Sequence, residues 1–190
     1  MTPETIFSIL IGIGLAASVG FRIFVPLFAL SIAAHYNVIP LNESWFWVGS
    51  TTAIIALGVA TIVEILAYFI PWLDNILDSI AIPLAAIAGT AVMVSTVAGL
   101  DPVMTWALAI IAGGGTAAAI QTSSAATRLT STATTAGIAN PILATVETGT
   151  SIVMSILSIF VPIIAIIFVV ILLWMIFRVY KKFKKKKVEV

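Results

Sequence analysis

Apolar residues run along this chain in long blocks, without the period of a helix or strand that keeps one face in water. A helix crosses hydrocarbon with about 20 apolar residues. Five blocks reach or approach that length: residues 5–34, 45–70, 79–100, 103–121 and 149–180. Between them lie the polar stretch HYNVIPLNES, a stop at Pro71, and Asp101-Pro102, which suits a capped helix start with proline in the first turn. The pattern predicts an all-α, polytopic membrane protein with about five to six membrane segments. It reads as one integral membrane domain over residues 1–177 and a basic tail over 178–190.

Two stretches do not fit simple crossings. The first block is about 30 residues long, roughly 45 Å of helix, so it tilts strongly or breaks, with Gly20 and Pro26 as break points. The second is TSSAATRLTSTATTAGIANPILATVE, residues 122–147, rich in Ser, Thr and Ala and carrying Arg128. It suits a short helix packed against others or lining a polar cavity, because small side chains let helices approach closely. GIGLAASVG (12–20) and GGGTAAAIQ (113–121) align. Each precedes an arginine, a proline (Pro26, Pro141) and a helix with a glutamate (Glu64, Glu147). That suggests one or two broken or re-entrant hairpins and an internal duplication of the kind found in transporters. If segment 79–100 crosses, the halves are parallel; if it is re-entrant, they are inverted.

Composition agrees with the pattern. The chain is 61% hydrophobic and 9% charged, with a mean hydropathy of +1.20, against about 25% charged in soluble domains. It has no cysteine and one histidine, His35, which excludes thiolate chemistry and a multi-histidine metal site. No metal or cofactor is expected. The N-terminal apolar run lacks a basic leader and carries Glu4, so it reads as a retained segment. Seven of the nine basic residues fall in RVYKKFKKKK. This bias places the C-terminus in the cytoplasm. Lys181, Lys182, Lys184, Lys185, Lys186 and Lys187 would lie against anionic headgroups, at about 1 kcal/mol each; a nucleic-acid partner is not expected.

The remaining arginines, Arg22 and Arg128, sit within apolar surroundings. A charge near the bilayer centre costs about 2.5–3.5 kcal/mol even on lenient scales, so each needs a partner or water. Glu64, in TIVEILAYFIP, is the preferred partner of Arg22, and Glu147 that of Arg128, with Asn140, Gln121, Thr127, Thr130 and Thr145 as further polar neighbours. Structural salt bridges, a substrate or proton site, and (for Arg22) snorkelling to the headgroups all remain open. In IPWLDNILDSIAIPLAAIAG, Asp74 and Asp78 lie one helical turn apart. Capping at the interface, with Asp74 as N-cap, or coordination of a cation or substrate would each use them. Gly113–Gly115 lacks the Lys-Ser/Thr of a phosphate loop, so its plain use is close helix packing. The five tryptophans suit interface belts or helix packing, and not a cofactor site.

The motifs GFRIFVPLFAL, the glutamate helix leading to IPWLDNILDSIAIPLAAIAG, and NPILATVE resemble a bacterial family of small integral membrane proteins, domain of unknown function 4126, from about residue 9 to 177. The resemblance implies a multi-helix fold in a bacterial inner membrane and no established activity. Arg22, Pro26, Glu64, Pro71, Asp74, Asp78, Asn140, Pro141 and Glu147 fall in the matching motifs.

Two functions compete. One is a transporter or flippase-like permease for an anionic solute or lipid headgroup, with Arg22, Glu64, Arg128, Glu147 and Asn140 at the site. The other is a structural or partner-binding protein with a closed bundle. The chain lacks the motifs GxSxG and HExxH and a P-loop, and an enzyme is not expected. Small-residue faces suit a homo-oligomer.

Overall fold

The computed structural model describes residues 2–186, excepting the side chains of Pro71, Trp72, Asp74, Asn75 and residues 183–186. Among the described residues all regular structure is helical: α1 (Pro3–Val19), α2 (Phe24–His35), a 3-10 turn (Glu43–Gly49), α3 (Thr51–Ala67), α4 (Pro71–Thr96), α5 (Pro102–Leu108), a π-helical turn (Ala109–Gly114), α6 (Gly115–Thr135), α7 (Asn140–Phe160) and α8 (Pro162–Lys186). Among the described residues, four helical stretches are long and apolar enough to cross a membrane, residues 76–96, 102–135, 140–160 and 162–182. A fifth arises if the 3-10 turn and α3, bent by 64°, count as one. The protein is an all-α polytopic membrane protein.

The first block breaks instead of tilting. α1 begins with Pro3 in its first turn and the Thr2 hydroxyl accepting from the Thr5 amide. It ends at Gly20, and α2 restarts at Phe24 with Pro26 in its first turn, where a missing N–H costs little. Both outer ends return to the same end of α4. The Ala98 amide donates to the Ser8 hydroxyl, and the Asn42 amide to the Ser95 carbonyl. α1 and α2 therefore form a re-entrant hairpin with Gly20–Ile23 at its tip. α2, at 12 residues, reaches about 18 Å, roughly half the hydrocarbon thickness. A Cβ on Gly20 would lie 2.5 Å from the Ile120 side chain and 2.8 Å from the Ala117 carbonyl, so the tip is pressed onto α6.

The hairpin occupies the middle of the bundle. Leu15, Ala16, Ala17 and Ser18 of α1 are wholly buried. Small residues make this close approach feasible. Gly14 faces Ser158 of α7 and Ala165 of α8. Ser18 donates to the Ser151 carbonyl and contacts the Ser155 hydroxyl at 2.7 Å. Along α4, Gly89 and the π turn pack backbone to backbone, a Cβ on Gly113 meeting the Gly89 carbonyl at 2.7 Å. The glycine run is thus a packing device, as its sequence suggests.

Several sequence expectations are corrected. α6 does not stop at Gln121. It runs on to Thr135, where Ala136 and Gly137 take positive φ (52° and 84°) and reverse the chain. Segment 122–147 is therefore the end of one crossing and the start of the next. The block at 149–180 is two helices. Pro162 restrains Val161 and removes a helical donor, so α7 ends and α8 folds back beside it. Of the two alternatives left open for segment 79–100, the crossing one fits: α4 starts earlier, at Pro71, carries Pro83 within it, and is long and apolar enough to span over residues 76–96. Asp74 is hence the fourth residue of a helix whose N-cap position is Ile70, which excludes it as the cap. Finally, Gly12–Gly20 ends at a hairpin tip whereas Gly113–Gln121 lies inside a continuous crossing, so the aligned segments do not have matching roles.

Candidate functional site

Within the hairpin tip, Arg22 points toward α6 and α7. Its exposure is 1% and that of Arg128 is 2%. Arg22 lies beyond the end of α1, but its amide still donates to the Ser18 carbonyl at 3.2 Å, so the serine ladder that seats α1 on α7 also brings the guanidinium to α7. Its Nε donates to the Thr148 hydroxyl at 2.9 Å and its Nη2 to the Ala144 carbonyl at 2.9 Å. Its ion pair is with Glu147, at 3.4 Å. Arg128, from the polar half of α6, bonds the same carboxylate through Nε at 3.2 Å and through Nη2. The Ser124 hydroxyl, one turn before Arg128, donates to Glu147 as well. One carboxylate on α7 thus joins two buried guanidiniums from different parts of the chain.

The expected Arg22–Glu64 pair is replaced by another arrangement. Glu64 accepts from the backbone amides of Ile23 (2.7 Å) and Phe24 (2.9 Å). These are the first free donors of α2, which has no local side-chain cap. A carboxylate is well suited to a helix amino end, where unpaired N–H groups and the helix dipole both favour negative charge. Glu64 therefore satisfies a helix end held inside the membrane, and Arg22 turns to α7. The Arg128–Glu147 pair stands as read from the sequence.

Tyr68, one turn after Glu64, closes the cluster. Its ring centre lies 3.9 Å from the Arg22 guanidinium carbon and 4.2 Å from that of Arg128, within the range of cation–π attraction. Asp78 of α4 approaches Arg128 at 4.0 Å. Asn140 starts α7 and donates to the Thr132 hydroxyl at 3.1 Å, next to the α6–α7 turn, so it supports that turn. Thr127, Thr130 and Thr145 are exposed, and each hydroxyl bonds a carbonyl four residues back, the usual way for a hydroxyl to face lipid without an unpaired group. Sequence reasoning missed Tyr68, Ser124 and Thr148. The available signal was spacing: Glu64/Tyr68 and Ser124/Arg128 are four apart, hence on one helix face.

Two clefts end on this cluster. One, about 320 Å³, lies between α3 and α4 and is lined by Glu64, Tyr68 and apolar residues including Ala60, Val63, Ile80 and Leu84. The other, about 170 Å³, reaches Glu147 and Ser124 past Phe21, Val146, Leu172 and Ile176. Lys181 and Lys182 are exposed on the last turns of α8, whereas the side chains of Lys184, Lys185 and Lys186, the whole of Lys187 and the Asp74 side chain lie outside the described part of the structure. Among the described residues no group of three or more His, Cys, Asp or Glu is placed to hold a metal ion.

No curated protein and no solved structure matches the chain. The family model described as a domain of unknown function, DUF4126, matches residues 9–182, and with nearly all of its helices inside that match the chain belongs to this family.

Proposed function

We propose that the protein is a permease for an anionic solute or lipid headgroup, with Arg22 and Arg128 binding the anion. The observation that carries this reading is the shared carboxylate. Two guanidiniums, 1% and 2% exposed, have Glu147 between them at the tip of a hairpin that stops partway through the membrane. Keeping two desolvated cations is expensive, and a site that must bind negative charge accounts for the cost. Glu147 balances the charge in the empty state, and Glu64 or Glu147 takes up a coupled proton. The hairpin fits the half-helices that build transporter sites. The work is binding and translocation, with no bond made or broken. In this reading the protein sits in the cell membrane with its C-terminus cytoplasmic and its tail lysines on anionic lipid, and small-residue faces support a homo-oligomer.

The low exposure of both arginines favours a second reading, a closed structural bundle. The absence of cysteine provides a clean test. Ser124→Cys places a thiol beside Glu147, and membrane-impermeant maleimide is applied to intact vesicles from each side. A permease opens the site to water, so the thiol reacts from at least one side. If it reacts only after denaturation, the bundle stays closed and the permease reading fails.

A further inference from the structure

Resting on the permease reading, the cleft between α3 and α4 points to the class of substrate. It is a slot with an apolar wall and a polar end. Val63, Ile80 and Leu84 line it and are themselves exposed on the outer faces of their helices, so in a bilayer its mouth opens among acyl chains. Its inner end is Tyr68 and Glu64, with both guanidiniums on the Tyr68 ring behind them. Arg22 shares its ion-pair partner Glu147, 3.4 Å away, with Arg128, and Glu64 supplies a second negative charge nearby without a direct bond to it. The other close acceptors of Arg22, Thr148 and the Ala144 carbonyl, are neutral.

We propose that this slot takes the acyl chain of an anionic lipid drawn sideways from the bilayer, with its headgroup beside Tyr68 and facing Arg22 behind it, in the space the Glu64 carboxylate fills at the α2 end. A hydrated ion in water has no favourable route along such walls, because it would shed water against hydrocarbon side chains. An amphiphile leaves its tail in an environment like the one it came from, and only the headgroup changes surroundings. Glu64 acts as the internal stand-in for the headgroup, so lipid and Glu64 compete.

The test is native mass spectrometry of the purified full-length chain, titrated with phosphatidylglycerol, oleate and phosphatidylcholine, and with inorganic phosphate as competitor. The wild-type chain should prefer an anionic lipid to phosphatidylcholine by about tenfold or more, the worth of one charge-assisted contact. Preference for phosphatidylglycerol marks a phosphate headgroup, and preference for oleate marks a carboxylate. Val63→Trp at the mouth and Ala60→Phe along the wall should remove that preference without changing the melting temperature; the tail lysines are identical in every variant and cannot produce the difference. Glu64→Gln should tighten anionic lipid, since it removes the competitor's charge, whereas a purely structural glutamate would show only lost stability. Equal binding of charged and zwitterionic lipid overturns the proposal, as do wild-type affinities in both blocking variants or displacement of the lipid by inorganic phosphate alone. Lipid selectivity combined with an unreactive Ser124→Cys would keep the lipid site and reject the permease. A reactive thiol without lipid selectivity would do the reverse.

Discussion

Replacing Glu147 by glutamine should be the most damaging single change of charge in the bundle. At 3.4 Å, and with an effective dielectric constant of about 20, the attraction between Glu147 and Arg22 is about 5 kcal/mol. Arg128 loses an ion pair at the same time, keeping Asp78 at 4.0 Å. Breaking one buried pair usually costs about 3–5 kcal/mol, because the remaining charge is left uncompensated. Here Arg22 loses its ion pair and Arg128 keeps only part of its negative charge, so a loss of about 3–5 kcal/mol is expected, comparable with the whole stability of some domains. The measurement is an SDS unfolding titration of the purified protein, with Val170→Ala on the exposed face of α8 as control. The same logic fixes the sign of the rescue. Neutralising Arg22 and Arg128 together with Glu147 removes the stranded cations and should recover more than half of the loss, since exchanging a complete buried ionic set for neutral groups is often close to neutral. If Glu147→Gln unfolds like the control, or if the triple variant is less stable than the single one, the guanidiniums are not held by this carboxylate and the reasoning fails.

Other expectations are simpler to check. Gly89→Ala would place a Cβ 2.6 Å from the Ala117 side chain and 2.8 Å from the Gly113 carbonyl, and should cost about 1–3 kcal/mol in the same titration. Gly149→Ala, with nothing within 4 Å of the added carbon, should be neutral or stabilising by up to about 1 kcal/mol. Ser18→Ala removes the hydroxyl that links Ser151 and Ser155 and should cost about 1–2 kcal/mol, with the chain still folding. Single cysteines replacing Thr2 and Ile138 should label from opposite faces of sealed vesicles, because the hairpin returns to its own side before α3, α4 and α5–α6 cross. Labelling of both from one face would refute the re-entrant geometry.

Much of the fold was legible because hydropathy and proline report directly on crossings and ends. Gly20 and Pro26 marked the hairpin, and Asp101-Pro102 marked the start of α5, where the Asp101 carboxylate indeed accepts from the Met104 amide. Less legible was whether a given breaker breaks. Gly113–Gly115 leaves a helix continuous through a π turn, and Pro83 is carried inside α4, while Pro162 ends α7. That choice depends on what packs alongside, which no local pattern contains. The site divided in the same way. Both arginines and both glutamates were visible as costly groups in apolar surroundings, but Glu64 was matched to the wrong partner. Its actual partners are two backbone amides freed at the α2 end, and backbone donors leave no trace in residue identity. Nothing in the identity of Tyr68 signals that both guanidiniums lie on its ring.

The separation of Arg22 from its partners also sets an order of assembly on the ribosome. Glu64 follows Ile23 by 41 residues, which at about 5–20 residues per second takes roughly 2–8 s, so the α2 end can be satisfied early. Thr148 follows Arg22 by 126 residues, roughly 6–25 s at the same speed. Tyr68 emerges just after Glu64 and can take the Arg22 guanidinium on its ring early, but the ion pair and hydrogen bonds that neutralise it are completed only once α7 has emerged.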